Sequence, residues 1–286
     1  MSFAQGHPVI AIPGPSPTPD RVLRAMHRAS PDIYGEAIAV ENHAMVAGLK
    51  RLAGTSAHLA VYIGNGHAGW EAANTNLLNR GDHALVLTSG HFGRAWAGSA
   101  RALGISVEEL DFGAAAPDPQ RLAERLAQDP EGRITAVLVC QVDTASSARA
   151  DIPALRRAMG DHPAFFCVDA IASLGCEPMH MDDWGVDLLV SASQKGLMTP
   201  PGLAFVWVSE RLRARGRTDL ATPYWDWAPR IEAQELWQYW GGTPPVQHVY
   251  GMNEALRMLL DEETLPRAWA RHEGLARATW AALEAW

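Results

Sequence analysis

An α/β fold of three layers, a sandwich built around a mainly parallel seven-stranded sheet, is what this sequence predicts. Three observations carry it. Seven short runs are apolar nearly throughout, as strands covered on both faces are. Helical periodicity fills most of the gaps between them, and strand–helix alternation is the pattern of a parallel sheet. The chain has 286 residues, 48% of them hydrophobic and 20% charged, which suffices to bury a large core and excludes global disorder.

The elements follow in order. Residues 6–19 (GHPVIAIPGPSPTP) are rich in Pro and Gly and read as an extended arm. A helix is expected over 20–29, with Asp20 as its N-cap after Pro19. An amphipathic helix over 37–53 follows and stops at Gly54. Strands are expected at 59–63, 84–87, 106–110, 135–139, 165–168, 188–191 and 204–208. Helices are expected at 67–78, 91–103, 119–128 and 153–159. The connection from Ser191 to Ala204 holds a Pro-Pro-Gly turn but no helix, which leaves the last strand free to run antiparallel. Beyond residue 210 the composition shifts: Trp225, Trp227, Trp237 and Trp240, with Tyr224 and Tyr239, crowd one stretch. Aromatics so placed read as core or interface packing. Helices are expected over 246–260 and from 264 onward. The domain reading is an arm (1–19), a large domain (20–245) and connecting helices (246–286).

The net charge of −8 implies no basic face, so nucleic acid and anionic membranes are poor partners. Cys140, Cys167 and Cys176 are too few for a disulfide framework and read as reduced thiols. The N-terminus has no basic region followed by a long apolar stretch, and no run reaches the ~18 apolar residues of a membrane span. A soluble, cytoplasmic protein is expected. The histidines show no HExxH spacing, so no metal is expected, and without a G-x-S-x-G elbow a Ser/His/Asp hydrolase is unsupported.

Gly64-Asn65-Gly66-His67-Ala68-Gly69 follows a strand and opens a helix, as a dinucleotide fingerprint would. That fingerprint needs an acid at the end of the next strand. Here the strand ends Leu87-Thr88-Ser89-Gly90, and the nicotinamide reading fails. What survives is a glycine-rich helix start whose N–H groups suit a phosphate; a ligand-free turn is the plain alternative. Asp169 sits at the carboxyl end of a buried strand, where open α/β sheets bind ligands. A carboxylate there needs a partner, and a protonated pyridine nitrogen is one; a helix cap or buried water is another. Lys195, 26 positions on, leaves the same sheet edge and is a candidate for Schiff-base chemistry.

These segments together resemble the class V aminotransferases: the strand ending at Asp169, SASQKGLMTPPG around Lys195, GNGH at 64–67 and IPGPSPTP at 12–19. Within that family the chain is most similar to the alanine–glyoxylate and serine–glyoxylate enzymes, from about residue 8 onward. The resemblance implies a fold-type-I homodimer that carries pyridoxal 5′-phosphate. It implies Lys195 as the Schiff-base lysine and proton carrier, and Asp169 as the partner of the pyridinium nitrogen. Phe92 would stack on the ring; Gly66, His67 and Gln194 would hold the phosphate; Thr144 would approach the phenolic oxygen. Thr243 would reach the phosphate of the other subunit, and Gly14 would line the substrate pocket. Small amino acids and 2-oxo acids are the implied substrates, with an amino group passing from an Ala- or Ser-like donor to glyoxylate or pyruvate.

The chain departs from the family in three places. Asn65 stands where Ser or Thr is usual. The loop commonly reading Glu-Thr-Ser/Ala-Thr-Gly is Asp143-Thr144-Ala145-Ser146-Ser147 here, without the glycine. The small C-terminal domain, which carries the arginine that grips the substrate carboxylate, is expected to be truncated. A cofactor-binding subunit without turnover, or a class V lyase, is therefore the alternative. A desulfurase is disfavoured, since no cysteine follows Cys176.

Overall fold

The computed structural model describes Ile10 and residues 12–286; the rest of the arm expected over 6–19 lies outside the described residues. Seven strands form one sheet in the order β1-β9-β8-β7-β4-β2-β3. They are β1 (His58–Gly64), β2 (His83–Thr88), β3 (Ser106–Asp111), β4 (Ile134–Cys140), β7 (Phe165–Asp169), β8 (Leu188–Ala192) and β9 (Gly202–Val208). Every expected strand is present. A two-stranded ribbon, β5 (Val142–Asp143) with β6 (Ala148–Arg149), was not foreseen; two residues are too few to carry periodicity.

β2, β3, β4, β7 and β8 are parallel, whereas β9 runs antiparallel to both β8 and β1. Two reversals leave β1 pointing the same way as β8. The carboxyl ends of β1, β2, β4, β7 and β8 therefore share one edge of the sheet.

Alternate strand residues feed two cores, as a pleated strand requires. On one face Leu59, Val61, Val137, Val139, Phe166 and Phe205 pack in a cluster with Leu49 of α2 (Glu36–Ala53), Leu122 of α5 (Pro119–Ala127), Leu155 of α6 (Ile152–Ala158) and Met252 of α10 (Val246–Arg257). On the other, Ala60, Tyr62, Val86, Leu138, Cys167 and Val206 cluster with Trp70 of α3 (Gly66–Leu77) and Trp96 of α4 (His91–Ala102). Cys140 and Cys167 are buried, Cys176 half-buried, and all three are free thiols. No helix among the described residues is long and apolar enough to cross a membrane.

Asp20 is the first residue of α1 (Asp20–Met26) rather than its N-cap. Pro19 occupies the cap, and no side chain caps this helix. The Asp20 carboxylate still opposes the helix dipole from the first turn.

Beyond β9 come short helices that periodicity did not reveal: α7 (Glu210–Arg213) and, within the aromatic stretch, α8 (Ala228–Ile231) and α9 (Leu236–Trp240). Trp227 and Trp240 are buried, while Trp237 is exposed. One cation fastens the stretch. Arg230, 1% exposed, donates to the carbonyls of Val61 (2.9 Å), Tyr239 (3.0 Å) and Tyr224 (2.7 Å). Its guanidinium lies 4.3 Å and 4.8 Å from the ring centres of Tyr62 and Tyr224. Carbonyl dipoles and two π faces thus serve a charge that has no carboxylate hydrogen-bond partner among the described residues. After α10 the chain continues through a π-helical stretch, Met258–Glu263, into α11 (Leu265–Ala285).

Candidate functional site

The shared sheet edge opens into a cavity of about 270 Å³ lined by Gly14, Gly66, His67, Phe92, Thr144, Asp169, Gln194 and Lys195, among others. Of the site residues expected from the sequence, Thr243 alone is not on its walls. That residue is exposed, just after the left-handed Gly241 (φ 63°) that ends α9.

Asp169 is the last residue of β7 and 4% exposed. Its Oδ1 accepts the Ile171 N–H (2.7 Å) and its Oδ2 the Trp70 Nε1–H (2.9 Å), with Cys140 Sγ at 3.6 Å. Burial is the largest influence on this carboxyl and pushes its pKa up to about 6 despite those donors. No cation neutralises it among the described residues.

Lys195 lies three residues beyond β8, and its Nζ donates to the Pro13 carbonyl at 3.2 Å. Burial lowers the pKa of this amine, which favours the uncharged, nucleophilic form. The arm is tied over it: Ser16 donates from its N–H to the Gln194 carbonyl (2.9 Å) and from its hydroxyl to the Lys195 carbonyl (2.7 Å). At Gly14 (φ +149°) a Cβ would stand 2.5 Å from Lys195 Nζ. Only glycine fits both that backbone and that contact.

α3 begins at Gly66, buried beneath Ile171. Asn65 caps it, its side chain accepting the His67 N–H at 3.1 Å. The departure from Ser or Thr therefore substitutes one good N-cap for another. The His67 ring stands edge-on to Trp70, 4.8 Å away. Beside Lys195, Gln194 Oε1 is buried with no hydrogen-bond partner among the described residues.

Phe92 is half-buried in the first turn of α4. Asp143 positions it and was not foreseen. Its buried carboxylate accepts the N–H groups of Phe92 (2.9 Å), Gly93 (3.0 Å) and Ala145 (3.0 Å). One side chain thus joins the helix that carries Phe92 to the loop that carries Thr144. Gly90 leaves the room, since a Cβ there would meet Asp143 Oδ1 at 2.4 Å. Ser147, where the family's glycine would fall, takes the left-handed conformation itself (φ 59°). The loop keeps its glycine geometry without the glycine.

Fold and cavity together define a class: an α/β protein presenting a lysine amine, a buried carboxylate and a glycine-rich helix start at one sheet edge. The profile of the family described as Aminotransferase class-V matches residues 11–286. The serine–glyoxylate aminotransferase of Methylorubrum extorquens is 36% identical over 96% of this chain and 70% of that protein. The L-aspartate–glyoxylate aminotransferase of Paracoccus denitrificans is 33% identical over 97% of this chain and 71% of that protein. Among solved structures, an alanine–glyoxylate aminotransferase from Nostoc superposes with a TM-score of 0.88 at 26% identity, covering 99% of this chain and 78% of that one. The chain belongs to the class-V aminotransferase family and is an enzyme of the transaminase type. The family implies pyridoxal phosphate as cofactor.

Proposed function

We propose that the protein transfers the amino group of a small L-amino acid, alanine- or serine-like, to glyoxylate or pyruvate, using pyridoxal phosphate attached at Lys195. The observation that carries this reading is the pairing, across one cavity, of an amine and a buried carboxylate that both lack an ionic partner among the described residues. The cavity's chemistry fits the cofactor. Asp169 suits a protonated ring nitrogen, and the α3 start suits a phosphate.

When bound, pyridoxal phosphate supplies an aldehyde for amines and an electron-poor ring that draws charge from the substrate α-carbon. The chain supplies the rest. Lys195 Nζ, whose proton affinity burial lowers, accepts the proton from the α-carbon and returns it on the far side of the reaction. Asp169 holds the proton on the ring nitrogen. Phe92 and Thr144 border the ring, and Gly66, His67 and Gln194 serve the phosphate. Gly14 lets the arm lie close against Lys195, its backbone bordering the amine. The enzyme acts as a homodimer in which Thr243 of one copy serves the phosphate of the other, in keeping with its exposed place outside its own cavity.

The test is the visible spectrum of protein purified with pyridoxal phosphate, before and after L-alanine or L-serine. A yellow band absent from Lys195→Ala and bleached by the donor is expected. A band that no donor bleaches would favour cofactor binding without turnover, and a protein that takes up no cofactor would overturn the proposal.

A further inference from the structure

The indole of Trp70 lies at the back of the cavity, and neither its identity nor its orientation follows from the motifs that drew attention to its neighbours. It is 2% exposed, one helical turn beyond Gly66. Its single polar atom is spent on Asp169 Oδ2, at 2.9 Å. The ring is not free to turn. It stacks on Trp96 with centres 6.2 Å apart and planes 10° from parallel. Trp96 is anchored in turn by its Nε1–H to Asn74 Oδ1 at 3.0 Å. The ring centre of Trp70 lies 4.8 Å from that of His67 and 6.4 Å from that of Phe92, both in T-shaped contacts. One locked ring therefore borders the helix start, the aromatic wall and the carboxylate.

We propose that Trp70 is a positioning residue whose indole N–H holds the Asp169 carboxylate ionised and aimed into the cavity. The inference rests on the cofactor reading above, in which that carboxylate meets a ring nitrogen. Its physical basis is local. Burial drives Asp169 toward its neutral form, which could not pair with a pyridinium, and three donors oppose burial: the Ile171 N–H, the Trp70 N–H and the weak Cys140 thiol. The first is the strongest but belongs to the backbone, and the third is long, so the indole is the stronger of the two side-chain donors. Asp143, from the neighbouring loop, repels the charge; His67 of α3 and Lys195 after β8 face the same cavity. Turning the carboxylate would also unmake the indole bond, so the contact fixes direction as well as charge.

The chain without cofactor supplies the test, with its aspartates labelled at the carboxyl carbon and the Asp169 resonance identified by Asp169→Asn. The wild-type carboxyl is expected to titrate near pH 6. Trp70→Phe keeps the aromatic volume and removes the donor, and should raise that midpoint by about one unit, a tenfold gain in proton affinity. Trp96→Phe keeps the stack and should leave the midpoint unmoved. An unchanged midpoint in Trp70→Phe, or an equal shift in both variants, would overturn the inference. Should Trp70→Phe fail to fold, the wild-type Trp70 indole proton must shift with the Asp169 midpoint, and a resonance that stays still overturns it equally. Failure of wild-type protein to bind pyridoxal phosphate would sink the cofactor reading instead, while the titration still reports on the bond.

Discussion

Asp169 works against the fold that contains it. Its folded pKa of about 6 lies above the unfolded carboxylate value near 3.9. Below the unfolded value the group is neutral in both states and costs nothing. As pH rises through 4 to 6 the unfolded chain releases its proton first, and stability falls by up to about 3 kcal/mol, at roughly 1.4 kcal/mol per unit. Asp169→Asn carries no charge, and its single amide oxygen can accept from only one of the two donors, the Ile171 N–H or the Trp70 indole. In cofactor-free protein its stability relative to wild type should rise by about 1–3 kcal/mol between pH 4 and pH 8 in urea unfolding, with the lost hydrogen bond showing as a constant deficit at both, while transamination is abolished. A difference between variant and wild type that does not change with pH would refute this account of the carboxylate. The sequence exposes Asp169 and Lys195 because charge at the end of an apolar strand is conspicuous. Trp70, Asp143 and Ser16 stay hidden, since an aromatic in a helix, an acid in a loop and a serine in an arm look ordinary until their partners across the fold are known.

At the scale of elements, the seven sheet strands were legible because each is buried on both faces and so apolar without interruption. The short pieces were not. The ribbon of β5 and β6 is held by Asp143, and the turns from α8 to α9 by Arg230, which binds carbonyls on either side of it. Such anchors act over distances that no local pattern encodes. Two predictions belong here. Ser147→Gly should stabilise the protein by about 0.5–1 kcal/mol, because a left-handed serine costs ~1–2 kcal/mol and glycine returns part of that as chain entropy; an unchanged or lowered thermal midpoint would contradict it. Arg230→Lys should destabilise by several kcal/mol, on the order of 3, since a single ammonium cannot reproduce the guanidinium's fork to three carbonyls. Near-wild-type urea unfolding of that variant would show the buried cation to be dispensable.

For the whole molecule, the proposed role of Thr243 requires a pair of chains, and complementation tests it. Lys195→Ala and Thr243→Ala chains, each impaired alone, are unfolded together and refolded. Mixed dimers then combine the intact lysine of one chain with the intact threonine of the other. Recovery of a statistical share of wild-type cofactor binding is expected. No recovery beyond the sum of the separate variants would place Thr243 outside the partner's site.

β1 forms a sheet edge, and its hydrogen-bonded neighbour there is β9, in register from His58 against Val208 to Gly64 against Gly202. On the ribosome this becomes a matter of waiting. The turn after Gly64 is made early, but its strand has no partner until residue 208 has left the exit tunnel. At ~5–20 residues per second that delay is on the order of ten seconds. Over that interval the nascent chain carries an unsatisfied β edge that a chaperone or a neighbouring polypeptide can claim. The sheet edge that carries the cavity is complete only once β9 has closed beside β1.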